Sequence, residues 1–241
     1  MKLKLLKKQD EAKGTVSFFW EPEKAVSYLP GQFFYFTLPA LKYPDPKGAT
    51  RHFTLSSSPT EEGYIRLTTR IREESGYKKT LNELSIGSGI EGEGPNGTFI
   101  FDEGENGPHI FFAGGIGITP FRSMVKYALD KNVNVSIHLI YSNSIPEEIA
   151  FRREIEGWQV GHPNIKVDMT VSKPEESKEG WSGLTGRIDE NLIGKLLPNI
   201  GSLNSIFWVS GPPAMVDAIE DLLGKLGVTS NKLRSEKFTG Y

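Results

Sequence analysis

Two patterns of hydrophobic and polar positions divide the chain. Up to about residue 101, short runs rich in β-branched and aromatic residues are separated by turn residues. The runs are 15–20, 32–38, 51–57, 64–71 and 97–101. Pro30-Gly31, Asp45-Pro46-Lys47-Gly48, Glu61-Glu62-Gly63 and Pro95-Asn96-Gly97 punctuate them. Many short strands at this spacing predict an antiparallel barrel or sandwich. One short helix is predicted at 80–84, with Thr80 and Glu83 fitting a capping box at its start.

The acidic, Gly-rich stretch 102–108 marks a boundary, and beyond it strands alternate with helices. Strands are predicted at 109–113, 133–141, 165–171, 205–210 and 231–238. Helices are predicted at 120–131, 146–158, 188–197 and 212–226. In the first helix Phe121, Met124, Val125, Ala128 and Leu129 share a face. In the last, Met215, Ile219, Leu222, Leu223 and Leu226 do so. Apolar strands alternating with amphipathic helices predict a parallel sheet covered on both faces. The expected organisation is a β domain at 1–103 and an α/β domain at 108–241.

Composition narrows the chemistry. The 241 residues suffice for two small domains, at ~100–200 residues each. With 28 Lys+Arg against 30 Asp+Glu, the net charge of −2 gives no electrostatic reason to expect nucleic acid. Absence of cysteine excludes disulfides, thiolate catalysis, zinc–cysteine sites and a cysteine-ligated iron–sulfur cluster. His52, His109, His138 and His162 lack metal-ligand spacing, so no metal is expected. The start, Met1 to Lys8, has no apolar run long enough for a signal peptide, and no ~20-residue apolar span occurs. A soluble, cytoplasmic protein is expected.

Open parallel sheets bind ligands at the C-terminal ends of their strands, and two such ends here are glycine-rich. Residues 113–120 read Ala-Gly-Gly-Ile-Gly-Ile-Thr-Pro, and residues 208–215 read Trp-Val-Ser-Gly-Pro-Pro-Ala-Met. Glycine permits close backbone approach, and a helix start offers unpaired N–H groups to a phosphate. Neither is the G-x-G-x-x-G fingerprint. Alone, the first reads equally as a tight crossover and the second as a proline-initiated helix; two in one sheet favour a nucleotide site.

In the β half, residues 51–59 alternate a cation, an aromatic ring and hydroxyls. Arg51, Phe53 and Leu55 share one strand face, and His52, Thr54 and Ser56 the other. The strand could serve a phosphate and a heterocycle; on residue types alone, a half-buried strand with a solvated polar face is the simpler reading. Lys78 and Lys79 ahead of the predicted helix could neutralise a phosphate, or flank an ordinary capped surface helix.

The order of these pieces resembles the ferredoxin–NADP reductase-like family of flavin oxidoreductases. The motifs are Pro30-Gly31-Gln32-Phe33, Arg51-His52-Phe53-Thr54-Leu55-Ser56-Ser57, the turn at 76–80 and Gly94-Pro95-Asn96-Gly97-Thr98-Phe99. They continue with the loop at 114–120, Ser210-Gly211-Pro212-Pro213-Ala214-Met215 and Glu236-Lys237-Phe238. The resemblance spans nearly the whole chain. It departs in Phe53 for the usual Tyr, in a turn one residue longer at 76–80, and in Ser210 where some members carry Cys.

The resemblance implies a Greek-key barrel binding FAD, followed by a domain binding NAD(P)H. It implies that Arg51 holds an FAD phosphate, Phe53 packs on the flavin, and Thr54 lies near flavin N5. Ser57, Leu67, Thr68 and Thr69 are further implied FAD contacts, and Lys79 and Thr80 hold the pyrophosphate. Gly114, Gly115, Gly117, Thr119, Pro120, Gly211, Pro212 and Met215 are the implied NAD(P)H loops. Ser142, Ser172 and Lys173 are placed beside the adenosine, with Lys173 favouring NADPH. Phe238 or Tyr241 is the aromatic implied to cover the flavin, and Thr54 and Glu236 are the implied catalytic residues. The expected activity is hydride transfer between NAD(P)H and FAD, with electrons passing to a carrier such as ferredoxin or flavodoxin. The alternatives are a reductase subunit of an oxygenase- or hydrogenase-type complex and a flavin-binding module without turnover. The intact loop at 114–120 argues against the last.

Overall fold

The computed structural model describes residues 1–105, 107–202 and 204–239. The chain forms two compact units. The first holds Met1–Phe101 with Thr119–Lys131, and the second holds Asp102–Ile118 with the described residues from Asn132 on.

In the first unit, six antiparallel strands are β1 (Lys2–Ala12), β2 (Thr15–Pro22), β3 (Phe33–Thr37), β4 (Thr50–Thr54), β5 (Ile65–Arg70) and β6 (Gly89–Asn96). Their order is β4-β3-β6-β1-β2-β5. Leu55 pairs with Leu67, and the Ser56 N–H donates to the Arg66 carbonyl at 2.8 Å. This joins the end of β4 to β5 and closes the sheet into a barrel, which removes its open edges. Alternate residues fill the interior: Leu3 and Leu5, Phe18 and Trp20, Phe34 and Phe36, with Leu55, Leu67 and Tyr77.

The sequence reading missed β1 and β6. In β1 the alternation is Lys-Leu-Lys-Leu, too lysine-rich to resemble a strand by composition, yet Leu3 and Leu5 are buried while Lys2 and Lys4 are exposed. In β6 the inward positions include Gly92 and Gly94, where a Cβ would lie 2.5 Å from Leu3 Cδ1 and from Phe34 Cδ2 respectively. The neighbouring side chains take the space that strand-forming residues would otherwise fill. Residues 97–101, expected as a strand, lie outside the sheet; Phe99 and Phe101 are buried there, and the Phe101 N–H donates to the Pro30 carbonyl at 3.1 Å.

The helix expected at 80–84 is α1 (Gly76–Glu83). The capping box of Thr80 and Glu83 is not formed. Ser75 is the N-cap and accepts from the Lys78 N–H, and Thr80 sits one turn inside, donating its hydroxyl to the Gly76 carbonyl at 2.7 Å. Glu83 instead accepts from Tyr43 Oη at 2.6 Å and pairs with Lys42.

Next comes α2 (Ile118–Asp130), whose Phe121, Met124, Val125 and Ala128 are buried as predicted. Its Arg122 is 3% exposed. Arg122 Nη1 donates to the Ser56 carbonyl at 2.8 Å, and the guanidinium makes a two-pronged ion pair with Glu61. Ser123 Oγ donates to the Ser57 carbonyl at 2.7 Å.

The second unit is a wholly parallel sheet of β7 (His109–Gly114), β8 (Ile137–Asn143), β9 (Ile165–Val171), β10 (Leu184–Thr185), β11 (Ile206–Gly211) and β12 (Leu233–Lys237). The order is β10-β9-β8-β7-β11-β12. The chain runs outward from β7 to β10 and then returns to the other side of β7 with β11. The order therefore reverses between β7 and β11, the place where such sheets bind ligands. Helices α3 (Arg152–Trp158), α4 (Glu190–Leu196) and α5 (Pro213–Lys225) complete the unit. Ile110, Phe112, Ile140, Phe207 and Val209 pack with Ile193, Val216, Ile219 and Leu223.

Three local expectations are corrected. The strand expected at 133–141 begins at Ile137. The helix expected at 146–158 is a 3-10 turn, Pro146–Glu148, followed by α3, because Phe151 at φ 59° is left-handed and breaks the run. The two-residue β10 has no hydrophobic run long enough to predict it. The antiparallel barrel followed by a parallel α/β unit is the architecture expected.

Arg122→Met should destabilise the protein by about 3–5 kcal/mol, since it strands the Glu61 carboxylate in a buried position. Arg122→Met with Glu61→Met should recover most of that loss in urea denaturation. Burial opposes ionisation of Glu61, but hydrogen bonds and charge from Arg122 overcome it and hold its pKa below the ordinary value. The stabilisation is thus present above the ordinary Glu pKa and lost as pH falls through the depressed one. Acid titration should therefore cost the wild type more stability than the double variant.

Candidate functional site

In the first unit, positive charge gathers at the start of α1. Lys78 is 4% exposed. Its pKa is pushed down to about 8, by burial first and then by Arg72, Arg51, Arg70 and Lys47. Buried cations disfavour one another, so the arrangement favours an anionic ligand. Arg72 Nε is a buried donor without a hydrogen-bond partner. Arg51 lies 5.3 Å from the Tyr77 ring centroid and ion-pairs with Asp45. Arg51 Nη1 also donates to the carbonyls of Lys47 (2.7 Å), Gly48 (3.0 Å) and Thr50 (2.7 Å). Burial opposes ionisation of Asp45, but the N–H groups of Tyr77 and Lys47, the Ser75 hydroxyl and Arg51 hold its pKa below the ordinary value. Four cations near the buried Lys78, one of them with an orphaned guanidinium donor, fit the diphosphate of a dinucleotide such as FAD.

The other sequence-predicted residues of this unit are distributed as follows. Phe53 is half-buried, 6.0 Å from the Phe36 ring and 5.9 Å from the Tyr77 ring. Thr54 is 6% exposed at the end of β4. Ser57 Oγ accepts from Tyr28 Oη at 2.8 Å and from the Arg66 N–H at 2.9 Å. Leu67, Thr68 and Thr69 are buried in β5, with Thr68 Oγ1 2.7 Å from both Ser17 Oγ and Ser56 Oγ. Lys79 engages Glu73 at 3.3 Å and lies over the Tyr43 ring. The Thr80 hydroxyl is committed to the Gly76 carbonyl and accepts from the Lys42 N–H at 3.1 Å. The motif order did not single out Asp45, Arg70, Arg72 or Ser75. A serine directly before Gly76-Tyr77-Lys78 was the available signal for the true helix start.

In the second unit, the two glycine-rich strand ends lie side by side, since Ala113 of β7 pairs with Ser210 of β11. A 3-10 turn, Gly115–Gly117, follows β7. A Cβ on Gly117 would run into the Ser210 carbonyl and lie 2.7 Å from Gly211 Cα. Only glycine permits this backbone-to-backbone approach. Gly114 is likewise closed in by Met215 and Pro212. Tyr141 Oη donates to the Gly115 carbonyl at 3.0 Å and so fixes the turn. Ser210 Oγ, and both amide atoms of Asn143 at the end of β8, are buried without partners. Thr119 and Pro120 are buried at the start of α2. Pro212 is the N-cap of α5.

Ser142 is half-buried in β8. The Ser172 N–H donates to the Asn143 carbonyl at 3.0 Å, which brings the ends of β8 and β9 together. Lys173 is exposed and pairs with Glu176 at 2.8 Å. That neighbour lessens the charge available to a nucleotide 2′-phosphate. Glu236 pairs with Ser210 across β11 and β12, and the Phe238 N–H donates to the Gly211 carbonyl at 2.9 Å. Both residues therefore lie beside the second glycine loop. Tyr241 falls outside the described residues.

Comparison with known proteins assigns both halves. Residues 2–101 match the oxidoreductase FAD-binding domain, and residues 111–221 match the oxidoreductase NAD-binding domain. The glycine betaine monooxygenase reductase subunit of Chromohalobacter salexigens is 26% identical over 212 residues, 88% of this chain and 56% of that protein. This chain thus spans little more than half the length of that relative. NADH-cytochrome b5 reductase 1 of Aspergillus oryzae is 28% identical over 203 residues, covering 80% of this chain and 68% of that protein. The ferredoxin-NADP+ reductase structure from Plasmodium falciparum superposes with a TM-score of 0.78 at 18% identity, over 98% of this chain and 95% of that one. No helix among the described residues is long and apolar enough to cross a membrane. With the two family models in the expected order over most of its length, the chain belongs to the oxidoreductases that join an FAD-binding to an NAD-binding domain, and it shares the fold of ferredoxin–NADP reductase.

Proposed function

We propose that this protein is an FAD-dependent NAD(P)H oxidoreductase that passes electrons to a protein acceptor, with 1–103 as its FAD domain and 108–241 as its NAD(P)H domain. The observation that carries the reading is the presence in one chain of a buried cationic site around Lys78 and a glycine-lined switch point between β7 and β11. The first suits a dinucleotide held by its diphosphate. The second suits a nucleotide approached closely by backbone.

Bound FAD supplies the hydride-accepting and electron-relaying chemistry. The chain's own groups bind and orient. Arg51, Lys78 and their neighbouring cations would hold the diphosphate, Phe53 would pack against the flavin, and Thr54 would offer its hydroxyl to the flavin's reactive edge. Gly114, Gly115, Gly117 and Gly211 admit the nicotinamide nucleotide, with Ser142, Ser172 and Lys173 toward its adenosine. Glu236 and Phe238 border the same loop. No side chain has to donate a proton in the hydride step.

Two acceptor classes fit: a small carrier such as ferredoxin or flavodoxin, or the oxygenase component of a larger complex. The Chromohalobacter relative, a monooxygenase reductase subunit, favours the second. Purified protein should be yellow and release FAD, identified by chromatography, and NADH or NADPH should bleach it anaerobically. Release of FMN, or failure to bind flavin on reconstitution, would overturn the assignment. Reduction of purified small carriers without another component would favour the first acceptor class, and co-purification with an oxygenase the second.

Lys78 makes FAD affinity pH-dependent. The diphosphate favours the protonated amine, so binding takes up a proton wherever free Lys78 is neutral. Affinity should therefore be flat below about pH 8 and fall as pH rises through that value. Fluorescence titrations of apoprotein between neutral pH and the ordinary lysine pKa would show the slope. Lys78→Met should bind more weakly and lose that slope.

Thr54→Val should slow flavin bleaching in rapid mixing more than it lowers FAD content, because valine keeps the strand and removes only the hydroxyl. An unchanged bleaching rate would confine Thr54 to a structural role.

A further inference from the structure

Asp45 lies in the loop between β3 and β4, with its side chain 4% exposed. Each of its oxygens serves a different part of the chain. Oδ1 accepts from Arg51 and from the Lys47 N–H (3.0 Å). Oδ2 accepts from Ser75 Oγ (3.0 Å) and from the Tyr77 N–H (2.9 Å) at the start of α1. One buried carboxylate thus ties β4, its own loop and the first turn of α1 together. The Arg51 guanidinium is held by Asp45 and, through Nη1, by the carbonyls of Lys47 and Gly48 in the loop and of Thr50 in β4.

We propose that Asp45 is a positioning residue for the FAD diphosphate. It presets the orientation of Arg51 and the first turn of α1, with Lys78 in that turn, before the cofactor arrives, and it acts through these groups without touching FAD. The inference rests on the reading of the cationic cluster as the diphosphate site. A carboxylate in that cluster could instead be a resident anion that FAD must expel. Three facts favour positioning. Both oxygens are doubly hydrogen-bonded. The side chain is buried, so expulsion would break four bonds and desolvate the ligand's new contacts together. The Ser75 hydroxyl that binds Oδ2 belongs to the N-cap of α1, so the carboxylate is built into the start of the helix that carries Lys78.

The two roles predict opposite signs. Apoprotein prepared from the full chain is titrated with FAD and, separately, with riboflavin, which lacks phosphate. Asp45→Asn should weaken FAD binding by about tenfold or more, the scale of a lost charge-assisted contact, and leave riboflavin binding unchanged. Arg51→Gln should also weaken FAD, and adding Asp45→Asn to it should cost less than Asp45→Asn costs alone, since part of the carboxylate's effect runs through the guanidinium. Unchanged or tighter FAD binding in Asp45→Asn would overturn the proposal, the tighter case identifying a resident competing anion. Equal losses for FAD and riboflavin would also overturn it, by showing a general structural role. Should Asp45→Asn not fold, Asp45→Glu keeps the charge and displaces it by one methylene; the same FAD-selective loss is expected, and full FAD affinity would overturn the idea. Failure of wild-type apoprotein to prefer FAD over riboflavin would instead sink the reading of the cluster itself.

Discussion

Three consecutive serines, Ser56, Ser57 and Ser58, are buried at the end of the strand that carries Arg51, Phe53 and Thr54. Buried polar groups must be hydrogen-bonded or cost about 1–3 kcal/mol each. Much of the first unit follows from that constraint. Ser56 closes the barrel onto β5 through Arg66 and Thr68. Ser57 is met by Tyr28, Arg66 and Ser123. The Ser58 N–H donates to Glu61 at 2.7 Å, and Glu61 in turn anchors Arg122. The Arg122–Glu61 pair is thus one part of a network in which each buried donor has its acceptor. The network ties a polar strand end into the barrel, and the proposed role of Thr54 at the flavin would call for such a base.

In the proposed function, the two units would hold phosphorylated ligands by different physics. The barrel would use charge: burial first, and then neighbouring cations, push the Lys78 amine down, and an anionic ligand would relieve both. The α/β unit uses shape: strand ends are stripped of side chains so that backbone can come close, at Gly117 against Gly211. Charge-based binding is sensitive to pH and ionic strength, whereas backbone-based binding is sensitive to a single added methyl group. A cofactor that stays bound and a nucleotide that must leave after each turnover fit those two modes respectively.

The legible parts of the sequence were those where one residue type has one physical use. The apolar runs of β7, β8, β9 and β11 gave the parallel sheet, and the glycines after β7 and β11 gave its switch point. Arg51 was legible from the order of family motifs, in a strand that alternates a cation, a ring and hydroxyls. What was hidden depended on partners distant in sequence. Asp45 looked like a turn residue in Asp-Pro-Lys-Gly, and its contacts at Ser75 and Tyr77 are some 30 residues away. Ser75 was overlooked as a cap because Thr80 and Glu83 offered a better local match. Strand β6 was hidden because its inward positions are glycines that accommodate Leu3 and Phe34.

The last strand shows why motif and geometry have to be read together. Glu236 and Phe238 have no chemistry of their own at those positions by residue type. Register supplies it: β12 runs parallel to β11 so that Glu236 meets Ser210, and the Phe238 N–H closes on the Gly211 carbonyl. Gly211 is also the residue whose backbone must stay within reach of Gly114 and Gly117. A side chain at Gly211 would therefore disturb the first glycine loop, the second and the path of the chain beyond β12 at once. The end of β12 is in this sense tied to the second glycine loop, although its sequence carries no phosphate-binding signal.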